Sequence, residues 1–452
     1  MKSSFLRHFT LVIIIFITAQ WAGRSQSFQG NWTLDSCLNY AVSNSIAVQR
    51  SQWQAKSSKA EMSSAIGGFI PTFDSQVSGE YSWGRNIDPE TNIYKTQTTF
   101  NNYYNLSSSL TLFDGGRTIN QFRQAKAKRE FALNNVNKAS EDKEIEVMQK
   151  FVDLVYARAC VDLASDKLRD SKKLLDKTEA LEELGLKGKP DVAQISAQVA
   201  EDDYNFTHQS HLAGTALLAL KSSMNYPMGD SLEVDTLLTH IVPEYRLEDA
   251  ENIYSYALDN SLQAREALFN ASSAKYSYKI QKGRLIPSLR LFAGVSTNYY
   301  KNITTPGSVP GFNNQFKNNM GEYVGATLSI PLFDYSSYGS VRKSYCDMKA
   351  AELDKEEALR KLHDDIAQAV MDRNGYVKEI EQMEKKVEAD GLSYEQSRRK
   401  FEEGMLSSFD LRTASNTLLQ SKVSLLQMRM LYVLKDRLVD YYKGIGIIRD
   451  NK

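Results

Sequence analysis

Between Thr72 and Trp83 the chain alternates with a period of two. Phe73, Val77, Tyr81 and Trp83 fall at odd positions, while Thr72, Asp74, Gln76, Ser78, Glu80 and Ser82 make every even position polar. Successive side chains of a strand point to opposite faces, so this pattern predicts a strand with one apolar and one wholly polar face. A loop read over about Gly84–Thr99 leads into a return strand. It sets Tyr104, Leu106, Ser108, Leu110 and Leu112 against Asn105, Ser107, Ser109 and Thr111. Leu112-Phe113-Asp114-Gly115-Gly116 then closes the pair (72–113) and opens a helical pattern. The same sentence recurs 220 residues on, at Leu332-Phe333-Asp334. There Leu289, Leu291, Ala293 and Val295 alternate with Ser288, Arg290, Gly294 and Ser296. A loop over Lys301–Gly321 holds Pro306-Gly307 and Pro310-Gly311, and Val324, Ala326, Leu328, Ile330 and Leu332 return against Tyr323, Gly325, Thr327 and Ser329. That second pair spans 287–333.

Helical periodicity fills the remainder. Helices over Trp32–Gly67 and Asp249–Gly283 precede the strand pairs, each followed by Ile-Pro (Ile70-Pro71, Ile286-Pro287). Long helices, one after Gly116 to about Leu184 and one over about 335–403, follow them, the second about 100 Å at 1.5 Å per residue. Ile145, Met148, Val152, Val155 and Ala159 form a 3-4-3-4 seam in the first half. Leu419, Val423, Leu426, Met430 and Val433 form one in the second. Each long helix is interrupted by Gly-x5-Asp, at Gly185–Asp191 and Gly404–Asp410, before a partner helix over 192–223 or up to Gly444. The chain therefore reads as one unit written twice. The repeats cover 28–227 and 247–444, joined by a linker over 228–246 that contains a strand-like Leu232-Glu233-Val234, with a tail over 445–452.

Residues 1–27 have the layout of a secretory signal peptide. Lys2, Arg7 and His8 precede the apolar run Leu11–Ile17, and small or polar residues follow, with cleavage expected between Gly23 and Phe28. The run is too short to span a bilayer, and no later stretch is long and apolar enough to do so as a helix. Strands are the remaining route into a membrane, and each is long enough to cross at a tilt, which takes about 9–11 residues. Tyr81, Trp83, Tyr103, Tyr104, Tyr299, Tyr300 and Tyr323 gather towards the loop ends, where an interfacial girdle would lie. A soluble sandwich is the alternative, but four strands among such long helices have little to pack against. Four strands cannot close a barrel and an open edge is not tolerated in lipid, so several copies must share one.

Composition removes other classes. Lys plus Arg equals Asp plus Glu at 55 each, so there is no basic footprint for nucleic acid. Cys37, Cys160 and Cys346 are far apart and lack metal-ligand spacing. His8, His208, His211, His240 and His363 form no ligand set, no phosphate loop is present, and carboxylates are scattered beside Lys and Arg. No cofactor and no enzymatic chemistry is indicated.

Taken in order and twice over, these motifs resemble the TolC-like outer-membrane efflux family. They are the opening Leu34 to Ala41, Ile-Pro before a strand, Leu-Phe-Asp after the return strand, and Gly-x5-Asp at each break. The resemblance implies an α+β membrane protein: a homotrimer with a 12-stranded transmembrane β-barrel, four strands per chain, continuous with a long periplasmic α-helical barrel. It implies an exit duct in the Gram-negative outer membrane, serving tripartite efflux or type I secretion. Its partners would be a periplasmic adaptor, an inner-membrane pump and outer-membrane lipid, with 228–246 as an equatorial layer. It also implies that the tips 185–191 and 404–410 dock the adaptor through Gly185, Leu186, Gly188, Gly404, Met405 and Leu406. Asp410 matches a position that forms an acidic constriction. Asp191 matches an aspartate tied by a Tyr and an Arg of the second hairpin. Those two positions are Phe401 and Leu406 here, which offer neither hydroxyl nor guanidinium. Asp191 also reads as a plain helix-start carboxylate. A periplasmic coiled-coil adaptor, or a structural protein without a channel, is the rival reading; neither requires two strand pairs with polar faces.

Overall fold

The computed structural model describes residues 31–88, 92–236, 241–305 and 309–448. The leader read over 1–27, His240 and Pro306-Gly307 lie outside them. The first repeat comprises α1 (Leu34–Asn44), α2 (Ile46–Gly67), β1 (Thr72–Ile87), β2 (Tyr94–Phe113), α3 (Arg117–Glu183) and α4 (Lys189–Met224). The second comprises α5 (Ala250–Asn260), α6 (Leu262–Gly283), β3 (Ser288–Asn302), α7 (Phe312–Asn318), β4 (Gly321–Ser329), α8 (Tyr335–Glu402) and α9 (Ser408–Tyr442). Apart from α7 the two halves match element for element.

Several expectations need correction. The return strand read on to Leu332 ends at Ser329, so Ile330 and Leu332 lie beyond β4. The helices read as continuous over Trp32–Gly67 and Asp249–Gly283 are each split at a serine. Ser45 Oγ accepts the Val48 N–H at 3.3 Å, and Ser261 Oγ accepts those of Gln263 at 3.2 Å and Ala264 at 3.3 Å. A serine that caps the next helix ends the previous one, and it does so at the same point of both repeats. The loop read over Gly84–Thr99 is shorter, because β1 and β2 stay paired out to Ile87↔Tyr94. Backbone pairing needs no apolar alternation, so it outlasts the pattern. The loop read over Lys301–Gly321 contains helix α7.

Side-chain oxygens fix the exits from the sheet. Asp114 Oδ2 accepts from Thr118 N at 2.9 Å and Thr118 Oγ1 at 2.7 Å, and Asp334 Oδ1 accepts from Ser337 N at 3.0 Å. The aspartate of each Leu-Phe-Asp is thus a helix-start acceptor, satisfying N–H groups that have no intrahelical partner. The helices α3 and α4 form one antiparallel hairpin, α8 and α9 the other. Their seams meet in a core where Met148, Val152 and Val155 of α3 join Leu38 of α1 and Met430 and Val433 of α9, all nearly inaccessible. Cys37 lies in that core, and burial pushes its thiol up to about 12. A second core joins Ile253 and Ala257 of α5 to Leu362 and Ile366 of α8 and Val439 of α9.

Beside these cores sits an ionic clamp. Arg373 of α8 is fully buried; it donates to Glu248 Oε2 at 2.9 Å and to the Arg246 carbonyl at 3.1 Å. Lys443 donates to the other Glu248 oxygen at 2.6 Å. The clamp fixes the end of the linker against α8 and the foot of α9. The strand-like Leu232–Val234 is reduced to one parallel bridge, Trp32↔Val234. Among the described residues no helix is long and apolar enough to cross a membrane.

Candidate channel wall and hairpin tips

The four strands form one antiparallel sheet in the order β1-β2-β3-β4. Directly paired residues share a face, so the register sorts the strands into two surfaces. Phe73↔Ser108, Val77↔Tyr104 and Tyr81↔Phe100 lie on one, with Leu106↔Val295, Leu110↔Leu291 and Ala293↔Val324. The other holds Asp74↔Ser107, Gln76↔Asn105, Glu80↔Asn101, Tyr103↔Asn298 and Arg290↔Thr327. On the apolar surface Phe73 is 75%, Trp83 74% and Val324 85% accessible, so among the described residues nothing covers these positions. Contiguous exposure on this scale marks an interaction surface, here one as tall as a bilayer-crossing strand.

A band of rings crosses the apolar surface towards the loops. Trp83 lies 6.2 Å from Tyr81, and Tyr81 4.7 Å from Phe100. Phe100 is 6.5 Å from Tyr299, and Tyr299 5.3 Å from Phe312 of α7. Of the aromatic residues expected in a girdle, Tyr81, Trp83, Tyr104 and Tyr299 lie on this surface. Tyr103, Tyr300 and Tyr323 belong to the polar surface by register, because each is one residue out of phase. Phe292 and Tyr323 lie 6.2 Å apart there, and Tyr323 Oη is 3.0 Å from Asn105 Oδ1. A methyl added at Gly325 would sit 2.5 Å from the Phe292 ring, so glycine lets that ring lie flat on the sheet. Among the described residues the outer edges of β1 and β4 have no ladder partner.

At the other end of the molecule the two tips repeat one geometry. Gly185 and Gly404 take φ of +73° and +78°, the left-handed turn that ends a helix and that side chains resist. Leu186 N–H reaches the Leu181 carbonyl, and Met405 N–H that of Lys400, at 2.8 and 2.7 Å. Each following helix starts at a carboxylate: Gly188 N–H donates to Asp191 Oδ2 at 3.4 Å, and Ser407 Oγ to Asp410 Oδ2 at 2.6 Å. Asp191 and Asp410 therefore hold the starts of α4 and α9, Asp191 half-buried and Asp410 exposed. Leu186 and Met405 project to solvent at 68% and 66% accessibility, and Gly185, Gly188 and Gly404 are exposed beside them.

Phe401 is buried against Ile195 and Leu411, with Leu406 packed alongside, so it joins the two hairpins by apolar contact. Sequence reasoning missed the polar tie beside it. Lys187 Nζ donates to the Phe401 carbonyl at 2.8 Å and lies 3.9 Å from the ring centroid. Lys177 pairs with Glu402 at 2.9 Å, and Lys167 bridges Asp202 at 3.1 Å and Asn416 at 2.6 Å. The first tip thus reaches across to the second through lysines of α3 and its tip. The only prior signal was the basic character of Gly185–Lys189.

The sequence profile of the outer membrane efflux proteins matches residues 37–225 and 253–434, most of both repeats. The chain belongs to the outer membrane efflux protein family. Among curated proteins none matches by sequence. By fold, this family member is similar to the outer membrane protein VceC of Vibrio cholerae, with a TM-score of 0.78 at 14% identity over 92% of this chain and 96% of VceC. The CmeC outer membrane channel of Campylobacter jejuni gives 0.76 at 16% identity, over 93% and 86%. The open-state MtrE channel of Neisseria gonorrhoeae gives 0.73 at 16%, over 92% and 89%. The four-stranded sheet set on long helical hairpins is the fold they share with this chain.

Proposed function

We propose that three copies close their sheets into one 12-stranded barrel in the outer membrane, and that the helical hairpins continue it as a periplasmic tube. The protein is then the exit duct of a tripartite efflux or type I secretion system. The observation that carries this reading is the sheet itself: four strands, two unpaired edges, one exposed apolar surface and one polar surface. Lipid takes the apolar surface, water the polar one, and neighbouring copies the edges. No chemistry is asked of the duct; energy comes from an inner-membrane pump.

The tips are the periplasmic end. Leu186, Met405 and their exposed neighbours receive the adaptor, and opening separates the hairpins. Lys187 on Phe401 takes the part that a Tyr and an Arg would otherwise play, and the closed state rests on it together with the Ile195–Phe401–Leu411 contact. Three copies of Asp410 face one another as an acidic ring. Asp410→Ala is expected to raise leak and reduce cation preference in planar bilayers. Conductance and selectivity identical to the parent would remove Asp410 from the constriction.

A further inference from the structure

The outer end of the sheet holds an unequal pair of edges. β1 has 16 residues and β4 only nine. The ladder runs Gly321↔Ser296, Asn105↔Ser296 and Gln76↔Asn105, so β4 stops level with Gln76 while β1 continues to Ile87. In a shared barrel the register also staggers from copy to copy, yet nine residues of β4 cannot pair with all sixteen of a neighbour's β1, and the outermost part of that β1 is left without a strand beside it. At lipid depth its backbone groups need partners.

Helix α7 occupies the vacant position. Its Gln315, buried, accepts from Tyr300 N at 2.9 Å and donates to Tyr300 O at 2.8 Å, as a neighbouring strand would. Thr297 Oγ1 donates to the Phe316 carbonyl at 2.8 Å, and Asn319 Nδ2 to that of Asn298 at 2.9 Å. These bonds seat α7 on the edge of β3 that β4 does not reach. At about 100° per residue, Asn313 and Lys317 lie roughly opposite Gln315, and both are exposed. The aromatic band makes the same point. It starts at Trp83 on the β1 edge and ends at Phe312 and Phe316 on α7, so in a closed ring its tail meets a neighbour's head.

We propose that α7 is an inter-protomer strap. It replaces the missing half of β4, pairing with its own β3 through Gln315 and with the outer half of the neighbouring copy's β1 through Asn313 and Lys317. The occupant of this surface is a second copy of the chain, so the proposal rests on the shared-barrel reading.

Cross-linking in native outer membranes separates the two. In the full chain with Cys346→Ser, one variant carries Asn313→Cys and Ser82→Cys across the strap. A second carries Thr327→Cys with Asp74→Cys, or with Gln76→Cys or Ser78→Cys to follow the stagger, across the β4–β1 seam, all on the polar surface. With a short bis-maleimide, both variants should give covalent dimers and trimers. Adding Gln315→Ala should abolish the strap product and leave the seam product. Seam product without strap product overturns the strap and leaves the barrel standing. Absence of both overturns the barrel as well. Strap product undiminished by Gln315→Ala overturns the assignment of Gln315 as its anchor.

Discussion

The helical part and the sheet of this protein solve opposite problems. Where the hairpins meet, the protomer buries its own seams, and even a guanidinium, Arg373, is sealed inside and paired with the half-buried Glu248. The sheet buries almost nothing of its own: its apolar surface is open and its two edges are unmatched. One region is stable by what the chain contains, the other by what surrounds it. A change in each should therefore be read by a different instrument.

The largest effect belongs to the clamp. Arg373→Ala removes a fully buried guanidinium with its hydrogen bonds to half-buried Glu248 and to the Arg246 carbonyl, and hydrogen bonds to charged groups are worth about 1.5–3 kcal/mol each. Thermal unfolding followed by helical circular dichroism should show a clear drop in Tm. Next comes the wall. Val324→Arg puts a charge on the exposed apolar face, which on the shared-barrel reading costs up to about 4 kcal/mol depending on depth, so membrane insertion should fall while helix content holds. Thr327→Arg, three residues away on the polar surface, should insert normally. Equal insertion of the two variants would erase the distinction between the faces.

Smaller effects test the joints. Lys187→Met removes one hydrogen bond and one ring contact between the tips, worth about 1 kcal/mol, and should raise closed-state conductance without lowering Tm appreciably. The smallest is a pH effect. Burial, and then the charge of Glu141, push the Glu144 carboxyl up to about 7. The folded protein then holds that proton more tightly than the unfolded chain, so stability falls as pH rises from the ordinary carboxylate range through about 7. Glu144→Gln should raise Tm at pH values above this window and leave it unchanged below the window.

What the sequence displayed and what it hid follow from the same contrast. The strand faces were legible because a strand with one apolar and one polar surface carries a period of two along most of its length. The strand ends were not: from Gly84 to Ile87 and from Tyr94 to Thr99 only the backbone pairing continues. α7 was hidden because Phe312-Asn313-Asn314-Gln315 reads as loop until the edge it covers is known. Both Gly-x5-Asp turns were legible, since a left-handed glycine and a helix-start carboxylate are local requirements. Lys187 on Phe401 was not, since the partners are 214 residues apart. Tyr103, Tyr300 and Tyr323 were grouped with the girdle by position along the chain, and register alone moves them to the polar surface.

The most direct test of the central claim is the native mass of the protein after extraction from outer membranes. The account predicts that detergent is required for release and that the released particle is a trimer, with Val324→Arg shifting it towards monomer. A monomer freed by a salt wash without detergent would contradict it, because a sheet open on both edges and bare on one face would then be stable in water by itself.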